Sequence, residues 1–506
     1  MVKKMKNNYL IYLVSFFSGF LSLSLEIIWM RIISFAGMSV PQAFSYTLAL
    51  FLVGIAIGAS IGKKICRKNK KIDSVTIGYV FFIASIVDIC LIIMAFLVAK
   101  TSIFILISGF FIIICATTRG VIFPLVHHLG TQDKKTGSQI SNVYFSNVFG
   151  SALAPLLISF IALDYINTQQ VYLLICFISL IVSMICLNSK KIKISVFVVC
   201  FLLFFTMMLP ERIFYELSRN SYQVDKYPVQ IIENKHGFIQ IYKDKVDKIV
   251  FGANVYDGKL NTNIFHNSNG IDRAYLLPIL KPDAENILVI GLSTGSWVKV
   301  LSMMPNIKKI TVIEINPAYL ELIKSDPIVS DILKDKRIEI IFDDGRKWVK
   351  KNNNNKYDII LINTTWHWRA YASNLLSKDF LSILKNVMHQ DSILFYNTTQ
   401  SADAYFTASK TYPYVYKYKF MLLSSMRPIK LEKKDRIQES LCKLVRYSNQ
   451  TPIFSTREEC SIAANIILST PLISYEDIIF SEFSNHEPEI ITDDNMITEY
   501  KYGKGL

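Results

Sequence analysis

Gly291, Ser293, Thr294, Gly295 and Glu314 stand in one stretch, ENILVIGLSTGSWVKVLSMMPNIKKITVIEINP, running from Glu285 to Pro317. An apolar run, Ile287–Ile290, meets a Gly-x-x-x-Gly turn; a helix-like segment and a second apolar run, Ile310–Ile313, follow, and Glu314 closes the unit. Glycines at such a turn let backbone approach a ligand closely, and an acid after the second strand can accept hydrogen bonds from a ribose diol. The chemistry expected is nucleoside binding; a purely structural crossover is the alternative. Further polar residues end later apolar runs: Asp343 and Asp344 after Arg337–Phe342, Asn363 after Tyr357–Ile362, and Asn397 after Ser392–Tyr396. One of Asp343 and Asp344 is expected to meet an adenine amino group and the other to cap the next helix.

A second group follows Asn363 in TTWHWRAYASNLLSKDF, where Trp366, His367, Trp368, Arg369 and Tyr371 fall within six positions. They read as an acceptor pocket, with His367 as general base and Arg369 as an anion contact; an apolar-aromatic packing patch is the competing reading. Asp358 and Asp403 are weaker candidates for the base. Upstream, NVYDGKLNTNIFHNSNGIDRAYLLPIL carries Tyr256 and His266, with a turn expected at Asp257–Gly258 and a lid after it. No Gly-x-x-x-x-Gly-Lys-Ser/Thr phosphate loop occurs, which argues against a nucleotide triphosphatase; a dinucleotide oxidoreductase stays open, without its usual compact Gly-x-Gly-x-x-Gly.

The elements that must position these residues are strands and helices in alternation, an α/β Rossmann-like domain over 283–506. A small β-rich element with a gating loop over 222–282 precedes it, with strands expected at Val229–Ile232, Phe238–Tyr242 and Ile249–Phe251. Functional side chains at strand C-termini lie along one edge of such a sheet.

The first 212 residues differ in kind. The chain of 506 residues is 51% hydrophobic with a mean hydropathy of +0.33, and the apolar excess is concentrated there. Seven spans, about 9–36, 43–62, 75–98, 102–125, 139–163, 169–188 and 193–210, predict an α-helical polytopic membrane domain. Glu26 and Arg31 lie in or at the end of the first span, and both are expected to avoid lipid by facing the bundle interior or a polar cavity. Gly54, Gly58 and Gly62 form a small-residue face for close helix packing. Arg119, near Pro124, either shapes a cavity or marks a kink. The net charge of +15 does not indicate nucleic-acid binding, because many lysines and arginines fall in short loops between spans, as in cytoplasmic loops of a multi-pass protein. Lys3, Lys4 and Lys6, the Lys63–Lys71 loop, Lys134 and Lys135, and Lys190, Lys191 and Lys193 place the N-terminus inside. Seven spans then deliver the second half outside, away from the cytoplasmic nucleoside pool, so its side stays open. The eight cysteines show no CxxC and no zinc spacing; neither a metal site nor a disulfide framework is expected.

At ILVIGLSTGSW, VIEINP, FDDGRKW and KYDIILIN the chain resembles the spermidine synthase family, and through SGFLSLSLEIIWMRI and LFLVGIAIGASIG its membrane-fused bacterial relatives. The resemblance implies a polyamine aminopropyltransferase fold, a donor that is S-adenosylmethionine or decarboxylated S-adenosylmethionine, no metal, and a homodimer. It assigns Glu314 to the ribose and Asp343 with Asp344 to the adenine side, and sets YDGKLN at the approach to a gating region. Four positions depart from the pattern: Asn261 stands where a glutamine is usual, Thr294 and Asn363 stand where aspartates contact the donor's propylamine and deprotonate the attacking amine, and Trp366 replaces an acceptor-side acid.

The expected function is therefore a membrane-bound transferase, integral to the bacterial cytoplasmic membrane, that alkylates an unidentified small-molecule or peptide acceptor and departs from ordinary spermidine synthesis. A non-catalytic nucleoside- or polyamine-binding sensor, or a transport-associated module, is the alternative of a different class.

Overall fold

The computed structural model describes residues 2–68, 72–131, 137–187, 194, 199, 212–218, 226–363 and 366–506. The expected seventh span at 193–210, Cys200, the loop lysines Lys70, Lys71, Lys134, Lys135, Lys190, Lys191 and Lys193, and Thr364 and Thr365 lie outside the described residues. Two compact units result, Met1–Phe238 and Ile239–Leu506.

Among the described residues of the first unit, six helices are long and apolar enough to cross a membrane: α1 Val2–Ala36, α2 Gln42–Lys68, α3 Ser74–Val98, α4 Phe104–Thr131, α5 Gly137–Leu157, which continues through a π-turn, and α6 Thr168–Cys186. The glycine face of α2 packs on α4. A Cβ at Gly54 would sit 2.5 Å from the Ala116 Cβ, and one at Gly58 would sit 2.2 Å from the Thr117 carbonyl, so only glycine permits this approach. Arg119 is paired inside the bundle. Its guanidinium is buried against Asp88 of α3 and donates to Ser179 Oγ of α6 at 2.8 Å. Tyr172 Oη donates to the Asp88 carbonyl at 2.8 Å. An interior charge in this setting is tolerable because it is paired and hydrogen-bonded.

Arg31 takes its partners from distant sequence. Nε donates to Thr168 Oγ1 at 2.8 Å, Nη2 lies 3.3 Å from Glu233 Oε1, and the guanidinium stacks 4.4 Å over Phe238. Glu233 belongs to β1, Gln230–Asn234. Glu26 is half-buried five residues earlier on α1.

The second unit begins with three antiparallel strands, β2 Gly237–Lys243, β3 Lys248–Gly252 and β4 Val255–Lys259. Asp257 and Gly258 therefore lie in a strand, not in the expected turn. The turn falls four residues earlier, at Ala253 and Asn254, both at positive φ of 46° and 65°. Two left-handed residues match the twist of a tight hairpin, and Gln240 fixes them by accepting the Asn254 N–H at 2.6 Å and donating to its Oδ1 at 2.7 Å.

Beyond lies an eight-stranded sheet of order β12-β10-β11-β9-β8-β5-β6-β7. Strands β5 Asn286–Ile290, β6 Lys309–Glu314, β7 Ile338–Phe342, β8 Tyr357–Ile362 and β9 Met388–Asn397 run parallel. Strands β10 Tyr414–Tyr418, β11 Met421–Ser425 and β12 Ile473–Ser474 add antiparallel pairs at one side. Leu288, Ile290, Ile360, Ile362, Leu394 and Tyr396 are buried in the core, as expected of strands covered on both faces. Strand order reverses between β5 and β8, which opens a crevice at their C-terminal ends.

No disulfide framework is expected from the cysteine spacing, yet one disulfide forms. Cys442, ending the helix Lys434–Cys442, bonds to Cys460 in the helix Arg457–Leu468. The two helices pack side by side, and that contact brings together sulfurs 18 residues apart in sequence.

Candidate functional site

The crevice is built on the β5 turn. Gly291 takes φ +93°, and a Cβ there would meet the Asn363 carbonyl at 2.8 Å. Gly291 N–H donates to the Ile313 carbonyl at 2.8 Å, and Asn363 N–H donates to the Ile290 carbonyl at 2.9 Å. The ends of β5, β6 and β8 are thereby tied together. Ser293 and Gly295 also take positive φ, 47° and 75°, and Gly295 opens the helix Ser296–Ser302.

Glu314, at the end of β6, faces this turn. Its Oε2 accepts the Leu292 N–H at 2.7 Å and its Oε1 accepts the Asn316 N–H at 2.8 Å. Burial pushes its carboxyl up to about 7, against the pull of those N–H donors, with the Asp257 charge adding a smaller push. With backbone hydrogen bonds from Leu292, Asn316 and Ser293, the two oxygens retain acceptor capacity, so the carboxylate can still accept hydroxyl groups.

Strand β4 brings in a residue that sequence reasoning missed as a site member. Asp257 Oδ2 accepts from Ser293 Oγ at 2.8 Å and from Tyr319 Oη at 2.8 Å. The Lys259 carbonyl lies 3.3 Å from Ser296 Oγ and 3.4 Å from Thr294 Oγ1. Ser293 and Thr294 thus spend side-chain bonds on holding β4 against the turn. Asp257 is visible in YDGKLN, but the Asp-Gly pair there reads as a turn; no sequence signal marks Tyr319. Arg369 enters the same group. Burial lowers its pKa, opposed by the nearby Tyr319 and Asp257.

Asp343 and Asp344 divide their work. Asp344 Oδ1 accepts the Lys347 N–H at 2.7 Å and caps the helix Gly345–Lys351. Asp343 pairs with Lys347 Nζ at 2.8 Å, and that bond holds its carboxyl below the usual range.

His367 lies between the loops after β8 and β9. Its backbone N–H donates to Thr399 Oγ1 at 3.0 Å, its Nδ1 is 2.7 Å from the same oxygen, and Thr399 Oγ1 donates to the Thr398 carbonyl at 2.8 Å. The hydroxyl has one hydrogen and spends it on that carbonyl, so it accepts both His367 contacts, and Nδ1 carries the imidazole proton. Nε2 is then the unprotonated nitrogen. Burial lowers the imidazole to about 4, opposed by the Asp403 charge, so His367 is neutral at pH 7 but weakly basic. Asn397 Oδ1 accepts the Thr399 N–H at 3.0 Å and steadies this loop.

The other base candidates are engaged elsewhere. Asp403 is buried and accepts from His486 Nε2 at 3.1 Å and from the Glu489 N–H at 2.8 Å. Asp358 does not join the site. It stands at the opening of β8, five residues or roughly 16 Å of strand from Asn363, and accepts the N–H groups of Glu285 and Asn286 at 2.8 Å each. His266 pairs with Asp247 at 3.4 Å, and Tyr256 Oη donates to Asn269 Oδ1 at 2.8 Å.

The aromatic segment is clamped by the chain's last residues. Trp366 and Trp368 lie 6.1 Å apart, and Lys504 Nζ sits 5.1 Å over the Trp368 ring. Glu499, 2% exposed, accepts the N–H groups of Tyr371 and Ser373 at 2.9 Å each, while the Tyr371 side chain remains 75% exposed. Tyr371 itself has φ +69°.

Residues 276–412 match the spermine/spermidine synthase domain. A polyamine aminopropyltransferase of Oceanobacillus iheyensis is 24% identical over 391 residues, covering 73% of this chain and 74% of that protein. That alignment is longer than the second unit, so it runs into the helical half. A polyamine aminopropyltransferase of Clostridium botulinum is 31% identical over 114 residues, covering 22% of this chain and 39% of its own length. A crystal structure of spermidine synthase in complex with a transition state analogue shares 17% identity at a TM-score of 0.36, covering 47% of this chain and 84% of its own.

Proposed function

We propose, from the spermine/spermidine synthase domain that this chain carries, that it is a multi-pass membrane transferase that binds an adenosyl sulfonium donor. The donor is S-adenosylmethionine or its decarboxylated form, and the reaction is alkylation of a nucleophile, aminopropyl transfer being the activity for which those relatives are named. The observation that carries this reading is Glu314, held by two backbone N–H groups beside the Gly291 turn. Its free acceptor capacity suits ribose hydroxyls, with Asp343 on the adenine side. Such a donor brings its own leaving group, so the chain's contribution is positioning.

The acceptor is expected along the segment from Asn363 to Tyr371. Asn363 and Trp366 are uncharged and His367 is neutral, so this edge offers hydrogen bonding and ring contact in place of carboxylate attraction. His367 Nε2 is the acceptor for a nucleophile's hydrogen; at a pKa of about 4 it suits a nucleophile that is already neutral better than an alkylammonium. That favours an acceptor other than an ordinary polyamine.

Titration calorimetry of the full chain with each donor tests binding, and mass spectrometry of products from amine and other neutral acceptors tests transfer. We expect one donor to bind and Glu314→Gln to weaken it. A folded preparation that binds neither donor overturns the reading.

A further inference from the structure

The helices of the first unit are arranged so that their basic ends coincide. Near the start of α1, Ile11 meets the position that a Cβ at Gly130, near the end of α4, would occupy, at 3.0 Å. The end of α2 lies with the end of α4: Cys66 Sγ is 3.6 Å from the Pro124 carbonyl. The start of α3 lies with the end of α6: Ser183 Oγ donates to the Gly78 carbonyl at 2.7 Å, and Cys186 and Leu187 crowd Gly78. These are the ends that adjoin Lys3, Lys4 and Lys6, then Lys63, Lys64, Arg67 and Lys68, then Lys134 and Lys135, then Lys190, Lys191 and Lys193 in sequence. Clustered lysine and arginine beside spans mark the cytoplasmic face.

Strand β1 sits at the other end. Arg31, near the end of α1, and Thr168, at the start of α6, both bond Glu233, and Lys235 pairs with Asp164 at 2.6 Å. Phe214 and Phe238 pack on Phe35 at 5.0 and 4.8 Å. Helix α6 carries the chain about 27 Å away from this end, yet by Phe214 the chain is back at it.

Within the second unit, the Cys442–Cys460 bond adds an independent sign. Structural disulfides persist in oxidising compartments and are rare where thiol reductants prevail. We propose that the second unit lies on the extracytoplasmic side of the membrane, where Cys442 and Cys460 are oxidised. The two thiols lose two protons and two electrons to the disulfide of an external thiol oxidant, which becomes its dithiol. The candidate site then faces the outer compartment, and an acceptor there reaches it without crossing the bilayer.

The test uses the full chain with a tag after Leu506, expressed in bacteria, and reads no catalysis, so it stands or falls apart from the transferase reading. Intact spheroplasts are digested with a protease, and Cys442 and Cys460 are alkylated with a maleimide before and after reduction, each site read by mass spectrometry. The expected result is loss of the tag in intact spheroplasts and alkylation of both cysteines only after reductant. A tag protected until the membrane is opened overturns the proposal, as does alkylation of both thiols without reductant. A Cys442→Ser, Cys460→Ser variant repeats the protease arm should the oxidised chain resist digestion; protection of its tag likewise overturns the proposal.

Discussion

Glu314 Oε2 accepts the Leu292 N–H at 2.7 Å, so the acid that closes β6 and the peptide after Gly291 form one rigid corner. The second oxygen takes the Asn316 N–H, which fixes the carboxylate plane. The corner is preorganised before any ligand arrives, and binding need not order it.

Glu314→Gln breaks that corner on one side only. A glutamine oxygen can keep one of the two N–H partners, while its NH2 faces the other donor. We expect a stability loss of about 1–3 kcal/mol from the stranded buried N–H, read by chemical denaturation. Donor binding should weaken roughly tenfold or more, since bonds to a charged acceptor contribute about 1.5–3 kcal/mol. A variant that binds either donor as the parent does removes Glu314 from the site.

The same carboxyl gives a pH dependence of definite sign. Its ordinary value is 4.5 and its folded value about 7, so between these the folded chain holds a proton that the unfolded chain has lost. Stability from this group is present below pH 4.5 and is lost as pH rises through 7, at up to about 1.4 kcal/mol per unit. Melting temperature against pH should therefore fall more steeply over that window in the parent than in Glu314→Gln. Donor hydroxyls prefer the ionised carboxylate, so binding should tighten from pH 6 to pH 8 with release of a proton, measured by calorimetry in buffers of different ionisation enthalpy.

Thr399 positions His367 without touching a substrate. Thr399→Val keeps the β-branched shape at φ +48° but removes the acceptor of two His367 N–H bonds, so the ring loses its assigned tautomer. Turnover should fall roughly tenfold or more with donor affinity unchanged, and Thr399→Ser should restore it. Because burial holds His367 near 4, the parent's kcat at saturating donor should lack an inflection near 6.5 and fall only as pH approaches 4. A Val variant with the parent's pH–rate profile would show that Thr399 only packs.

The sequence makes the cradle legible because apolar runs, glycines and strand-end acids follow one period, and the helical half because hydropathy alone sets it. What stays hidden depends on partners far away in the chain. Arg31 reads as a charge in a membrane span, and nothing near it announces Glu233, 202 positions on. Cys442 and Cys460 lack any motif; the packing of two short helices brings them together. Asp358 shows the opposite failure. It is an acid inside the right strand, yet it belongs to the wrong end, because strand direction places position along the run above residue type.

Glu499 is the acid with the least sequence signal and a well-defined structural job. It is buried and bonds the N–H groups of Tyr371 and Ser373, fixing the turn that ends the aromatic segment and begins the helix Ser373–Leu376. In Glu499→Gln one of those N–H groups faces an amide NH2, a loss of about 1–3 kcal/mol; in Glu499→Ala both lose their acceptor. Hydrogen exchange at Tyr371 and Ser373 should quicken in both variants, more in the alanine one, while exchange around Leu292 and Glu314 stays as in the parent. With the segment loosened, KM for the acceptor should rise and donor affinity should hold. Equal loss of donor and acceptor binding would instead mean that the C-terminal segment supports the whole sheet edge and not the aromatic segment alone.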